Sequence, residues 1–173
     1  MLVSTKPCCG RDCGNISGNR VACAMSKVID QDISVLSSSQ RGLRYLTAND
    51  WTLVADKASR VRFRKGQNIV QKGKATDGIY LLLSGTAQVQ ISSKPPLPEI
   101  GPGEICGDMS FLEDGPASAN VTALGDIDAL HLDRATLESL FELFPHLASR
   151  FYRSLAANLS HRLRDLIASK LPL

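Results

Sequence analysis

The sequence predicts a mainly β protein with flanking helices: an eight-stranded double-stranded β-helix (jelly-roll) barrel, with one N-terminal helix and two C-terminal helices. Three observations carry this reading. Between Arg60 and Leu132 apolar residues recur with a period of two, in short runs parted by glycine turns at intervals of roughly 8–12 residues. Outside that span the period is 3.6. The chain has 173 residues, 43% of them hydrophobic and 21% charged, which suits one ordinary globular core.

Residues 1–40 are rich in Gly, Ser, Asn and Cys and lack sustained periodicity, so they read as a disordered leader and linker ahead of a domain over residues 41–173. A helix is expected from Ala48 to about Ala58, with Thr47 as N-cap, Asp50 three residues on, and an apolar side of Trp51, Leu53 and Val54. Val61 and Phe63 then alternate with Arg60, Arg62 and Arg64. Gly66 turns the chain into a short strand at Ile69 and Val70. Ile79–Leu83 reads as a buried strand, and Ala87, Val89 and Ile91 alternate with polar residues. Leu97–Ile100 and Glu104–Cys106 are two short strands around Gly101-Pro102-Gly103. Val121 with Ala123, and then Ile127–Leu132, complete the set of eight.

Helical periodicity then returns. Asp133 caps a helix running to about Leu143, with Leu137, Leu140 and Phe141 inward. Pro145 opens a longer helix whose apolar positions, Ala148, Tyr152, Leu155, Leu159, Leu163 and Leu166, form a seam. The seam would pack on its own barrel or on a second copy of the chain.

Composition excludes several classes of protein. No window approaches the about 18–20 apolar residues of a membrane span, and the start, MLVSTKPCCGRDCG, has no apolar h-region, so a cytoplasmic location is the default. A translation start at Met25 would place residues 1–24 outside the native protein. Cys8, Cys9, Cys13 and Cys23 run C-C-x3-C-x9-C, which matches no zinc-ligand spacing, and no histidine precedes His131. They read as incidental thiols, Cys106 as core, and no metal is expected. Net charge is +3, with Arg150, Arg153, Arg162, Arg164 and Lys170 set against Asp165 near the C-terminus. That density fits a solvated helix face better than a nucleic-acid surface.

The most informative stretch is Gly103–Val121, GEICGDMSFLEDGPASANV. It packs a glycine turn, a short apolar segment, a second turn and a small-residue strand together, as a shallow anion cradle lined by backbone N–H groups requires. Ala117 stands where such a cradle would carry a cation.

Taken with FRKGQ at Phe63–Gln67, YLLLSG at Tyr80–Gly85 and GEICGDMSFL at Gly103–Leu112, residues 46–167 resemble the cyclic nucleotide-binding domain family. That family ranges from catabolite-activator-type regulators to kinase regulatory subunits and gated channels. The resemblance implies a phosphate-binding cassette of the form F-G-E-[LI]-A-L, a spacer, then P-R-[AST]-A. Its glutamate accepts from a ribose hydroxyl and its arginine pairs with the cyclic phosphate. Here the cassette reads CGDMSF at Cys106–Phe111 and PASA at Pro116–Ala119. The ligand-binding candidates so implied are Gly107, Asp108, Met109, Ser110, Pro116, Ala117, Ser118 and Ala119. Asp108 replaces the glutamate with a side chain one methylene shorter, and Ala117 replaces the arginine. Arg162, from the long helix, is read either as a second cation for the pocket or as a solvent-facing neighbour of Arg164.

The expected function is a regulatory sensor module with a degenerate cassette and weak or altered cyclic nucleotide binding, signalling through its C-terminal helices. The alternative is an interaction or structural domain that no longer binds a nucleotide. Expected partners are a cyclic nucleotide or other small anion, and a homodimer or an effector protein. No cofactor is expected, and no enzymatic activity. Among barrel residues only His131 could serve a metal-dependent jelly roll, and no P-loop, H-E-x-x-H or G-x-S-x-G occurs. Too few residues follow Ala168 for a helix-turn-helix, so no direct DNA binding is expected from this chain.

Overall fold

The period-two stretch folds into two antiparallel sheets. The computed structural model describes residues 30–91 and 99–170. Strands β1 (Ser59–Phe63), β7 (Ile127–Asp133), β3 (Gly78–Ser84) and β5 (Ile105–Cys106) form one sheet in that spatial order. Strands β2 (Asn68–Val70), β6 (Asn120–Ala123) and β4 (Ala87–Gln90) form the other. Seven strands are thus found among the described residues, not the expected eight. Of the expected strand at Leu97–Ile100, Ile100 forms an isolated bridge with Ala87, and Leu97 lies outside the described residues.

Alternation along β3 separates two cores. Tyr80 and Leu82 face the space between the sheets, where they meet Val61, Phe63, Val70, Val121 and Ala129. Ile79, Leu81 and Leu83 face the other way, into a cluster with Leu36, Trp51, Val54, Phe111, Leu137, Leu147, Phe151 and Leu155. A strand buried on both faces must be apolar throughout, which explains the unbroken run of Ile79–Leu83.

Among the described residues five helices surround this frame, one of them, at Asp30–Ser38, not expected. They are α1 (Asp30–Ser38), α2 (Ala48–Lys57), α3 (Asp108–Glu113), α4 (Arg134–Leu143) and α5 (Pro145–Lys170). The leader was expected to extend over residues 1–40. Residues 1–29 lie outside the described residues, but Asp30–Ser38 is helical and Leu36 is only 1% exposed. Nine residues make a marginal helix in isolation, so the signal is tertiary. The helix end rests on the Gly103 turn, where φ is +79° and an added Cβ would lie 2.5 Å from Ser39 Cβ and 2.9 Å from the Val35 carbonyl. The other helix, α3, is the short helix of the cassette.

The other helix signals appear as read. Thr47 and Asp50 form a complete capping box on α2, and the Asp133 side chain accepts from the Thr136 N–H at the start of α4. The face of α5 differs from the expected seam. Leu147, Phe151 and Leu155 are buried, whereas Tyr152 is 43% and Leu163 58% exposed. The packed face also carries polar residues four apart. Arg150 grips Asp50 at 2.6 and 2.7 Å, Ser154 Oγ accepts from the Tyr45 N–H at 3.1 Å, and Asn158 donates to the Gly42 carbonyl at 2.9 Å. The apolar spacing identified the helix and missed its orientation, because polar residues with backbone partners count against burial in a pattern of apolar residues alone. No described helix is long and apolar enough to cross a membrane.

The hydrogen bond from Arg150 holds the Asp50 carboxyl down at about 2, from an ordinary 3.8. A folded pKa below the unfolded one contributes stability that is present above the unfolded value and lost as pH falls towards the folded one. Asp50→Asn is therefore expected to lower Tm at neutral pH. Its deficit against the wild type should shrink as pH drops from about 4 to about 2. Thermal melts across that range test this; a constant deficit would assign the effect to something other than the charge.

Candidate functional site

The cassette hangs between β5 and β6. It needs a left-handed residue to leave β5 and start α3 at once, and Gly107 provides it with φ of 86°. A Cβ there would approach the Gly78 carbonyl oxygen to 2.9 Å. The helix closes at Asp114, itself left-handed at φ 51°, and the chain returns through Pro116, which bridges Ala75, to Ala119 and β6.

Seven of the eight sequence-predicted residues line one cavity of about 70 Å³. They are Gly107, Asp108, Met109, Ser110, Ala117, Ser118 and Ala119; Pro116 lies outside the lining. The opposite wall is apolar, from Val70, Val89, Ile100, Cys106 and Val121. Ala117 is 7% exposed and belongs to the core between the sheets. Its backbone is already paired, the N–H donating to the Lys74 carbonyl at 2.9 Å and the carbonyl accepting from the Gly73 N–H at 2.8 Å. Ser110 is buried, and its hydroxyl donates to the Gly115 carbonyl, closing the cassette loop. Met109 and Ser118 are exposed at the rim, where Ser118 Oγ lies 3.9 Å from Met109 Sδ.

Asp108 is 3% exposed, and its carboxylate is held by a side chain from 54 residues further on. Arg162 Nη1 donates to both carboxylate oxygens, at 3.2 and 2.8 Å, and Nη2 donates to the Ile105 carbonyl at 2.8 Å. Arg162 therefore lines the cavity and is not a purely solvent-facing neighbour of Arg164. A second arginine grips the far end of α3. Arg134 donates to the Phe111 carbonyl at 2.8 Å, pairs with Asp114, and stacks its guanidinium 4.5 Å from the Phe111 ring centre. A cation at the carbonyl end of a helix is favourably placed. Sequence reasoning missed Arg134 because nothing in its immediate surroundings, beyond the helix cap before it, marks a contact with α3.

Burial, reinforced by the Asp108 charge, pushes the Cys106 thiol well above its usual range, so it is held as a neutral core residue. His131 is structural too. Its Nε2 lies 3.2 Å from Asp77 Oδ1 and its ring stacks on Tyr80 with centres 4.6 Å apart.

A family model described as "Cyclic nucleotide-binding domain" matches residues 60–143. Those residues are a cyclic nucleotide-binding domain. The CRP-like cAMP-activated global transcriptional regulator of Mycobacterium tuberculosis is 28% identical over 121 residues, covering 65% of this chain and 53% of that protein. Cyclic GMP-binding protein C of Dictyostelium discoideum is 28% identical over 148 residues, 82% of this chain and 6% of that one. The Thermus thermophilus catabolite activator protein superposes with a TM-score of 0.60 at 29% identity, over 72% of this chain and 58% of that structure. The chain thus spans about half the length of the first of these relatives, the mycobacterial regulator. These relatives are regulators and a binding protein by name.

The cyclic nucleotide-binding domain supplies a direct test of its cassette geometry. Gly107→Ala forces a side chain into a left-handed conformation against the Gly78 carbonyl, and is expected to cost about 1–3 kcal/mol of stability. Denaturant unfolding measures it; a change near zero would show that the cassette relaxes freely.

Proposed function

We propose that this chain is a regulatory module whose cyclic nucleotide cassette is degenerate, so that it binds cyclic mononucleotides weakly or in an altered way and signals through α4 and α5. The observation that carries the reading is the wall at Ala117. The position is apolar, core-packed and has its backbone groups paired, and the cation that does line the cavity, Arg162, is engaged by Asp108. Losing one partner of a partly buried charge pair costs about 2–5 kcal/mol, and each 1.4 kcal/mol is about tenfold in affinity. A site so altered loses tens- to thousands-fold against one with the arginine. Signalling through α4 and α5 is supported by the two arginines those helices send to either end of α3. The output then leaves by a homodimer contact or an effector protein in the cytoplasm.

The small cavity favours a second reading, an interaction domain without a nucleotide. Small-molecule pockets run to about 300–1,000 Å³, several times the about 70 Å³ found here. Calorimetric titration of cyclic AMP, cyclic GMP and a cyclic dinucleotide into the wild type and Ala117→Arg separates the two. The degenerate-cassette reading expects weak or undetectable cyclic mononucleotide binding by the wild type and at least a tenfold gain in the variant, about 1.4 kcal/mol. Micromolar binding by the wild type would overturn the role given to Ala117. No gain in Ala117→Arg would favour the interaction domain.

A further inference from the structure

We propose that Arg44, Arg153 and Arg164 form a docking surface for an acidic protein segment, on the side of α5 turned away from the cassette. Six of the ten arginines among the described residues lie within 4.0 Å of a carboxylate. Arg44, Arg64, Arg153 and Arg164 are the four that do not, and three of these four share one place. Arg153 and Arg44 both stack on the Tyr45 ring, their guanidinium carbons 4.2 and 5.0 Å from its centre. Arg44 Nη1 also lies 3.4 Å from His161 Nε2, and Arg164, three residues further along α5, donates to Ser160 Oγ at 3.1 Å. At about 100° per residue, Arg153 and Arg164 fall within about 20° of each other around the helix. Arg162, which reaches into the cassette, falls about 180° from Arg153. The three arginines are exposed. Asp165, their neighbouring acid on the helix, is engaged by Arg41 at 3.1 Å.

Solvation alone does not call for this arrangement, because like charges on one face repel and are best left apart and mobile. Here they are gathered and ordered. The Tyr45 N–H donates to Ser154 Oγ, which fixes the backbone of the ring against α5. A guanidinium stacked by its face keeps its N–H edge for a bidentate contact with a carboxylate. Cations ordered before binding lose less entropy on binding. The number of cations decides the class of partner. A nucleic-acid surface makes about 6–10 phosphate contacts, and a lipid-binding polybasic segment clusters about 4–8 Lys or Arg. Three arginines around one tyrosine fall short of both, whereas Tyr and Arg are the residues enriched where protein partners bind most strongly. The surface names the chemistry of the effector in the proposed function, and rests on that reading only in giving the module an effector.

The test titrates the full chain into a fluorescein-labelled hexaglutamate peptide and follows fluorescence anisotropy at low ionic strength, where surface charges are least screened. The wild type is expected to bind, and Arg44→Gln/Arg153→Gln to bind about tenfold more weakly. Arg64→Gln/Lys65→Gln removes the same charge from the exposed turn between β1 and β2, and is expected to change affinity by less than about twofold. Tyr45→Leu keeps every charge and removes the platform, and is expected to weaken binding about threefold. No binding by the wild type would overturn the proposal. So would equal weakening in the two double variants, which would reduce the effect to net charge, and an unchanged affinity in Tyr45→Leu. Displacement of the labelled peptide by single-stranded DNA or by phosphatidylserine vesicles more readily than by unlabelled hexaglutamate would overturn it too, in favour of a nucleic acid or a membrane. None of these outcomes bears on the Ala117→Arg titration, and a module that binds no cyclic nucleotide can still hold the peptide.

Discussion

The arrangement of the site depends on how one face of α5 is held. Arg150, Ser154, Asn158 and Arg162 succeed one another every four residues, and each reaches a partner remote in sequence: Asp50, Tyr45, Gly42 and Asp108. Between them they fix the helix to the capping box of α2, to the loop before it, and to the cassette. Hydrogen bonds set the rotation and the axial position of the helix more tightly than Leu147, Phe151 and Leu155 could alone, because apolar contact is not directional. With the helix so placed, Arg162 reaches the buried Asp108 while its own side chain stays 34% exposed.

The same logic explains how the cassette tolerates an alanine at position 117. A cradle with an arginine in its wall keeps an uncompensated cation waiting for an anion. In this chain the wall is apolar and continuous with the core between the sheets, and the two cations nearby hold protein groups at either end of α3. Charge is balanced within the fold.

Much of this was legible in the sequence, and the exceptions have physical causes. Glycines 66, 85, 103 and 107 mark left-handed turns, and the alternation on either side of them located the strands. Seven cassette residues were found together because their spacing encodes a local loop. The α1 helix escaped notice because its partners, the core around Leu36 and the Gly103 turn, lie far along the chain. Arg134 and Arg162 escaped as partners of α3 because a long-range ion pair leaves no periodic trace. The rotation of α5 was misread for a related reason: a seam drawn through Tyr152 and Leu163 assumes that burial is apolar, whereas Ser154 and Asn158 are among the most buried residues of the helix.

The central claim is that α5 is pinned to the cassette through Arg162. Backbone ¹⁵N relaxation along α5 tests it most directly, without substitution or ligand. Order parameters near 0.85 that continue through Arg162, as for rigid backbone, are the expected result. Values falling below about 0.6 from Leu159 onward, the range of flexible segments, would mean that the end of the helix moves free of the cassette, and would contradict it.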